Sequence, residues 1–199
     1  PHAADALARV AHLLAESLRP DEVAARIVDS IGRLLDPVAA AVYELGENGD
    51  LVAIAVSGDA GPTIGPLRFS QGTGLGAVAV AQGVPVSTDD ILADPRVRLG
   101  SAERERLARA PYRAAVAVPL SSRGRVIGVL GLGLGPNRVL ADDERRVIEM
   151  FADQAALALD NARVHEEAQG ARRRLEVEHG VARILAESAN LPAAVPRLV

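Results

Sequence analysis

The stretch AAVAVPLSSRGRVIGVLGLGL, from Ala114 to Leu134, carries the strongest fold signal in the chain. Two β-rich runs, 114–120 and 126–134, are joined by the polar turn 121–125, which has the length of a hairpin connection. In the second run apolar side chains alternate with glycines, so one strand face is apolar and the other is bare. The bare face of Gly131, Gly133 and Gly135 lets another group approach the sheet closely. A packed helix is the ordinary occupant of such a face, and a ligand is the alternative.

A second hairpin lies upstream of this one. Runs 38–45 and 51–57 are β-rich, and Asn48-Gly49 between them is a strong hairpin signal. The chain between the two hairpins predicts a loop over 58–72, a short helix over 74–82, a short strand over 84–87 and another short helix over 102–110.

Apolar residues at helical spacing flank the hairpins. They predict one helix over 5–18, a second from Pro20 to Leu34, and a long one that begins at Asp142. If it continues unbroken to Ser188, the last helix is about 70 Å long; Gly170 and Gly180 leave its continuity open. Antiparallel hairpins bracketed by helices predict an α+β domain with a helix-covered sheet.

One helical sequence occurs twice. VAHLLAES at 10–17 returns as VARILAES at 181–188, with six of eight positions identical. The repeat indicates one complete module followed by the first helix of another, as in a piece of a longer protein.

Composition excludes several kinds of chemistry. The chain has no cysteine and no tryptophan, and all 22 basic residues are arginine. Cysteine nucleophiles, thiolate metal sites and lysine Schiff bases are therefore excluded. A net charge of −4 with two Phe and two Tyr argues against nucleic acid. No apolar run is long enough to span a bilayer, so we expect a cytoplasmic module. The sequence shows no combination of nucleophile, base and orienting residue, so we expect the module to be non-enzymatic.

Several motifs in order resemble the GAF domain family across residues 20–164. They are GLG at 74–76, DDI at 89–91, VPL at 118–120 and FADQAALALDNAR at 151–163. The resemblance implies a central antiparallel sheet of five or six strands, with N- and C-terminal helices on one face and a ligand pocket on the other. It also implies a long C-terminal connector helix.

The resemblance implies a regulatory role, and the pattern is most similar to tandem modules of bacterial sensor histidine kinases in two-component systems. Such a module binds a small molecule, dimerises, or does both, and relays a signal through its terminal helices to an output domain. The alternative is a pocketless module that only dimerises and relays. The predicted organisation is a connector helix over 1–19, the sensory domain over 20–163, a helical linker over 164–180 and the start of a truncated second module over 181–199.

Known cofactors of the family fit poorly, and the cofactor stays unknown. Haem-binding relatives use a histidine before the Val-Pro strand, where this chain has the histidine-free segment 109–113; Tyr112 is the only alternative iron ligand there. Bilin-binding relatives usually need a cysteine. The cyclic-nucleotide signature is matched in part by Asn137-Arg138 and Asp143-Glu144, and an acidic first helical turn explains the latter equally well.

The candidate ligand-binding residues are Tyr43, Thr73, Asp89, Arg96, Arg109, Tyr112 and Arg113. Arginine forks suit carboxylate or phosphate ligands, although without lysine a solvated surface also uses arginine. Because the last helix has more apolar surface than one domain can bury, we expect a parallel homodimer through the terminal helices. Its candidate residues are Leu7, Val10, Leu14, Phe151, Ala155, Leu159 and Ala162.

Overall fold

The computed structural model describes residues 19–58, 68–135, 138 and 140–189 of the chain. Its strands are β1 (Ala39–Leu45), β2 (Leu51–Gly58), β3 (Arg68–Phe69), β4 (Val86–Thr88), β5 (Ala114–Ser122) and β6 (Arg125–Leu134). Its helices are α1 (Pro20–Leu35), α2 (Gly74–Gln82), α3 (Ser101–Arg109) and α4 (Asp142–Ala189). The strands form one antiparallel sheet in the order β3-β2-β1-β6-β5-β4. The predicted α+β fold is confirmed. The predicted helix over 5–18, with Leu7, Val10 and Leu14, lies outside the described residues.

Helices α1 and α4 cover one face of the sheet. Pro20 lies in the first turn of α1 with Asp21 and Glu22, which suits the positive end of a helix. Asp36 ends α1 in the left-handed conformation, directly before Pro37. The core between these helices and the sheet contains Val23, Ile27, Ile31, Leu130, Leu132, Ile148, Phe151 and Leu159. Each such side chain contributes roughly 1.5–3 kcal/mol by leaving water.

Three features of the chain between α1 and α4 differ from what the sequence predicted. The β5–β6 connection is a two-residue turn, Arg123-Gly124, with both residues at positive φ, and is tighter than the predicted 121–125 turn. Strand β3 lies in a segment predicted as loop; with two residues it is too short to leave a sequence pattern. Strand β4 begins at Val86 rather than Val84, after the left-handed Gly83 and Pro85, which has no N–H to donate.

Helix α4 is 48 residues long and continues through Gly170 and Gly180, which corresponds to about 72 Å. Its first half packs on β5, β6 and α1. After Ala162 most of its described side chains are exposed. The helix therefore extends well beyond the domain that it covers. Among the described residues, no helix is both long and apolar enough to cross a bilayer.

Candidate functional site

A cavity of about 60 Å³ lies on the face of the sheet opposite α1 and α4. Helices α2 and α3 and the segment between β4 and α3 enclose it, with Leu75, Ile91 and Leu107 pointing toward the sheet. The floor is formed by β1, β5 and β6 through small residues: Ala39, Ala41, Ala115, Ala117, Gly131 and Gly133. Small side chains on three adjacent strands leave this space open, and the walls are almost entirely apolar.

Two tyrosine rings occupy the glycine face of β6. A Cβ at Gly131 would lie 3.1 Å from Cε2 of Tyr43, and a Cβ at Gly133 would lie 2.5 Å from Cδ1 of Tyr112. The expectation that a helix packs on these glycines is therefore wrong. The β1–β6 pairing carries Tyr43 to this position, and the chain after α3 carries Tyr112.

The aromatic groups of the cavity contact one another. The rings of Tyr43 and Phe69 meet edge to face with centroids 5.7 Å apart, a favourable arrangement. Burial is the main cause that raises the pKa of the Tyr43 hydroxyl; the nearby Tyr112 raises that pKa further, and the positive charge of Arg106 lowers it. Burial also raises the pKa of Tyr112. Both tyrosines are therefore neutral donors at physiological pH.

Arg106, on α3, does not line the cavity, but it differs from the neighbouring arginines. Its Nε atom is buried and has no hydrogen-bond partner, alone among the buried side-chain nitrogens and oxygens of the described residues. The sequence reasoning did not select this residue. Helical spacing offered a signal, because Arg106 follows the buried Glu103 by three positions and precedes the buried Leu107 by one, which puts it on the inner side of α3.

The structure brings two of the seven predicted ligand-binding residues, Tyr43 and Tyr112, into the cavity. Thr73 lies at the entrance to α2, where its hydroxyl is 2.9 Å from a carboxylate oxygen of Glu103. Asp89 and Arg109 are exposed and do not line the cavity.

The last two predicted ligand-binding residues, Arg96 and Arg113, stabilise loops of the domain. Arg96 donates to the carboxylate of Asp94 and, at 2.8 Å, to the carbonyl of Ser87. Arg113 donates to the carbonyls of Leu107, Ala108, Ala110 and Tyr112 and so closes the C-terminal end of α3. Their guanidinium groups are already engaged within the protein.

The residues predicted for the dimer contact do not form an available surface on α4. Phe151, Ala155, Leu159 and Ala162 are 0–1% exposed because they pack in the core of their own domain. The opposite side of α4 carries Met150, Leu157 and Val164, which are 46–50% exposed and follow one another at intervals of seven residues. We call these three residues the α4 stripe.

The part of the chain that is described contains no group of three or more His, Asp or Glu side chains arranged for a metal ion. His165 and His179 lie on α4 after the last residue of the core, Ala162. The cavity offers apolar walls and the side chains of two neutral tyrosines. Such a set of groups suits binding.

A helix-covered antiparallel sheet with an apolar cavity on its second face defines a small α+β module. The family model described as GAF domain matches residues 17–160, and the chain belongs to the GAF domain family. This is a family of regulatory sensory modules found in signalling proteins.

Solved structures show the same fold. The GAF domain of a phosphoenolpyruvate-protein phosphotransferase from Coxiella burnetii is 19% identical with a TM-score of 0.71, and the match covers 85% of this chain and 96% of that one. Free methionine-R-sulfoxide reductase from Neisseria meningitidis, in complex with its substrate, is 20% identical with a TM-score of 0.65, covering 81% and 90%. The phycoerythrobilin-bound GAF domain of a cyanobacterial phytochrome is 18% identical with a TM-score of 0.64, covering 82% and 97%. No curated protein matches the sequence.

Proposed function

We propose that this chain is a sensory module of a multidomain signalling protein. A small molecule in the cavity changes the packing of α4, and α4 carries that change to a neighbouring domain. The observation that carries the proposal is the alternation along β6, where Val129 and Gly131 face the cavity while Leu130 packs toward α1 and α4. Because interiors are close-packed, a shift of this strand reaches the helix. The ligand acts by binding one packing state more tightly than the other.

A parallel homodimer through α4 is part of this function. The seven-residue interval of the α4 stripe is the repeat that parallel two-stranded coiled coils bury. Asn161 lies on the same side between Leu157 and Val164, and a polar residue within such a seam specifies register. Two copies side by side would cover the apolar surface that one domain leaves exposed.

The output domain is proposed to be a histidine kinase, reached through a second module. The support is the repeated sequence at 181–188, which is helical and continuous with α4. The match to the family model ends at residue 160, so residues 164–180 are the proposed connector. A catalytic role for this chain is not proposed, since it has neither cysteine nor lysine.

The size of the cavity favours a second candidate function. At about 60 Å³ it is several-fold smaller than the 300–1,000 Å³ typical of pockets for drug-sized ligands. Tyr43, Tyr112 and Phe69 fill much of the space. In this alternative the module has no ligand and relays strain between its neighbours through the dimer.

Native mass spectrometry of protein purified from its own cells distinguishes the two functions. A sensory module retains a stoichiometric small molecule that is lost on denaturation. A dimer whose mass equals that of the chain alone supports the relay without a ligand.

Disulfide formation tests the dimer. The chain has no cysteine, so Leu157→Cys and Val164→Cys each supply a single thiol. In a parallel dimer in register both variants form disulfides rapidly, whereas an antiparallel dimer brings at most one of the two pairs together. Glu166→Cys, exposed on the other side of α4, is the matched control and should react slowly.

A further inference from the structure

We propose that the cavity is the inner end of a longer binding site, and that this site takes an uncharged molecule with an aliphatic chain. The outer end is a groove between the β1–β2 turn and α2, and the side chain of Leu51 separates the two parts. The assignment rests on the proposed function in one respect, that the cavity takes a ligand. It adds the chemical class of that ligand and its route of entry.

The groove is larger than the cavity, with a volume of about 420 Å³. Its apolar lining comes from Leu45 and Leu51 of the sheet and from Ala77, Val80 and Ala81 of α2. The other lining residues are Gly46, Glu47, Gly49, Gln71 and Gly72. This volume lies within the 300–1,000 Å³ that is typical of small-molecule pockets, which the cavity alone does not reach.

The groove and the cavity meet at Leu51, which lines both. On β1 the lining passes from the cavity at Tyr43 to the groove at Leu45, which pairs directly with Leu51. On α2 it passes from the cavity at Gly76 to the groove at Ala77. Both walls therefore change from one space to the other at the level of Leu51.

The side chain of Leu51 packs against α2 at this boundary. It is 2% exposed, and a Cβ at Gly76 would lie 2.7 Å from its Cδ1 atom. Glycine at position 76 thus leaves room for the leucine methyl group beside the helix. A leucine side chain has several staggered rotamers, and the open groove lies next to it. A rotation of Leu51 would join the groove to the cavity.

The joined site has room for an elongated ligand. A dry apolar cavity of about 150 Å³ binds benzene, whereas the closed cavity has only about 60 Å³. A molecule that lies in the groove and extends past Leu51 is not limited by this small volume. Its inner end would contact Tyr43 and Tyr112.

The lining favours an uncharged ligand. None of the described residues that line the two spaces is basic, so a carboxylate or a phosphate would have no cation to pair with. Glu47, which is exposed beside the groove, adds a negative charge there. The apolar walls stabilise each methylene group that they remove from water. A linear alcohol has the chemistry that this lining favours.

Tyrosine fluorescence tests whether the end of such a chain reaches the cavity. The protein has two tyrosines and no tryptophan, and both tyrosines line the cavity but not the groove. The full 199-residue chain is titrated with ethanol, 1-butanol, 1-hexanol and 1-octanol, and separately with sodium octanoate. We expect a saturable change whose affinity rises roughly two- to fourfold per methylene up to octanol. Octanoate should bind at least about tenfold more weakly than octanol.

Variants at the boundary test the role of Leu51. Association is slow when binding requires a conformational change, so Leu51→Ala should bind octanol several-fold faster than the parent in stopped-flow fluorescence. Leu51→Met preserves the volume with a more flexible side chain; it should have a smaller effect of the same sign and replaces Leu51→Ala if circular dichroism shows that variant unfolded. Leu99→Ala is the matched control, because Leu99 packs against the same apolar cluster and lines neither space.

A variant of α2 tests the groove. Val80→Thr keeps the shape of the side chain and places a hydroxyl in the apolar groove, so octanol affinity should fall roughly threefold or more. Ethanol is too short to extend from the cavity into the groove, and its affinity should not change. Val84→Thr is the matched control, since Val84 is 50% exposed and lines neither space.

Several results would overturn the assignment: no saturable response to any alcohol, an affinity that stops rising at 1-butanol, octanoate binding as tightly as octanol, or equal association rates in Leu51→Ala and Leu99→Ala. Unchanged octanol binding in Val80→Thr together with a loss of the dimer would make the groove a contact between two copies of the chain. A retained small molecule of another class, found by native mass spectrometry, would overturn this assignment and leave the proposed function in place.

Discussion

The ring of Tyr112 lies directly on Gly133, and a Cβ at this glycine would be 2.5 Å from the Cδ1 atom of the ring. Real Cβ atoms do not approach carbon atoms so closely, so position 133 requires glycine as long as the tyrosine keeps its place. Gly131 stands in the same relation to Tyr43, at 3.1 Å. The two tyrosine rings therefore pack on the glycine face of β6.

Alanine at these glycines should have graded effects. Gly133→Ala forces Tyr112 out of the cavity and should cost about 1–3 kcal/mol of unfolding free energy. Gly131→Ala should cost less, since its contact is with the edge of a ring. Gly135→Ala is the control because its Cβ would meet Val38 at 3.6 Å, an ordinary contact. Urea unfolding measures the three values, and equal stability of all three variants would contradict this account.

The sequence predicted the elements of the fold well because both hairpins and the helices have clear periodicity. The predicted alternation separated the two faces of β6 correctly from Leu130 to Leu134, whereas at the start of the strand a register shift puts Ile127 rather than Val126 in the core beneath α1 and α4. It did not reveal what covers the glycines of β6, because Tyr43 is about ninety positions from Gly131 and reaches it only through the β1–β6 pairing, and Tyr112 reaches Gly133 through the chain after α3. A local pattern contains no information on such a contact.

The site residues show the same limit. Arg96, Arg106 and Arg113 are alike in sequence, and what separates them is the number of acceptors that the folded loops supply. On α4 the strongest apolar stripe, with Phe151 and Leu159, is the one buried in the domain. The α4 stripe is weaker because Gln154 and Asn161 interrupt it, and so the sequence favoured the side of the helix that packs inside its own domain.

A buried hydrogen bond ties the β5–β6 turn to α4. Ser122 donates to the carboxylate of Asp160 at 2.9 Å, and both residues are buried. Ser122→Ala should lower the free energy of unfolding by about 1–2 kcal/mol, because the carboxylate loses a donor that water replaces poorly. Chemical denaturation measures the change.

The ion pair between Arg123 and Asp160 can be compared with this hydrogen bond. Its Nε lies 3.2 Å from the same carboxylate, but its side chain is 70% exposed, and exposed ion pairs contribute about 0–1 kcal/mol. Arg123→Gln should therefore change stability less than Ser122→Ala. The reverse order would show that the ion pair, and not the buried bond, holds the turn to the helix.

Acid should weaken the loop after β4 through Asp94. Hydrogen bonds from the Arg96 side chain, the first of several causes, hold the pKa of Asp94 well below its ordinary value of 3.8. A carboxyl with a lowered folded-state pKa stabilises the fold fully above pH 3.8, and this contribution is lost as the pH falls through the folded-state pKa. At pH values below 3.8, the urea concentration at which half of the parent protein is unfolded should therefore decrease.

Asp94→Asn tests this assignment, since amide replacement removes the titrating group. The variant should be less stable than the parent at pH 6 and should lose less stability on acidification. Part of the acid sensitivity should remain in this variant, because it keeps Asp50, whose pKa is also lowered, mainly by its hydrogen bond with Arg68. Replacing the exposed Asp29 by Asn is the control, and identical acid profiles for the Asp94 variant and the parent would refute the role of Asp94.

A charged substitution should have different effects on the two sides of α4. Leu157 is 50% exposed and Leu159 is fully buried, although both are leucines on one helix two positions apart. Leu157→Glu should leave the domain folded and shift the dimer to monomer, because two carboxylates would face each other in a parallel seam. Leu159→Glu should unfold the domain, since it buries a charge without a partner. Sedimentation and circular dichroism separate the effects, and a dimer that survives Leu157→Glu would place the interface elsewhere.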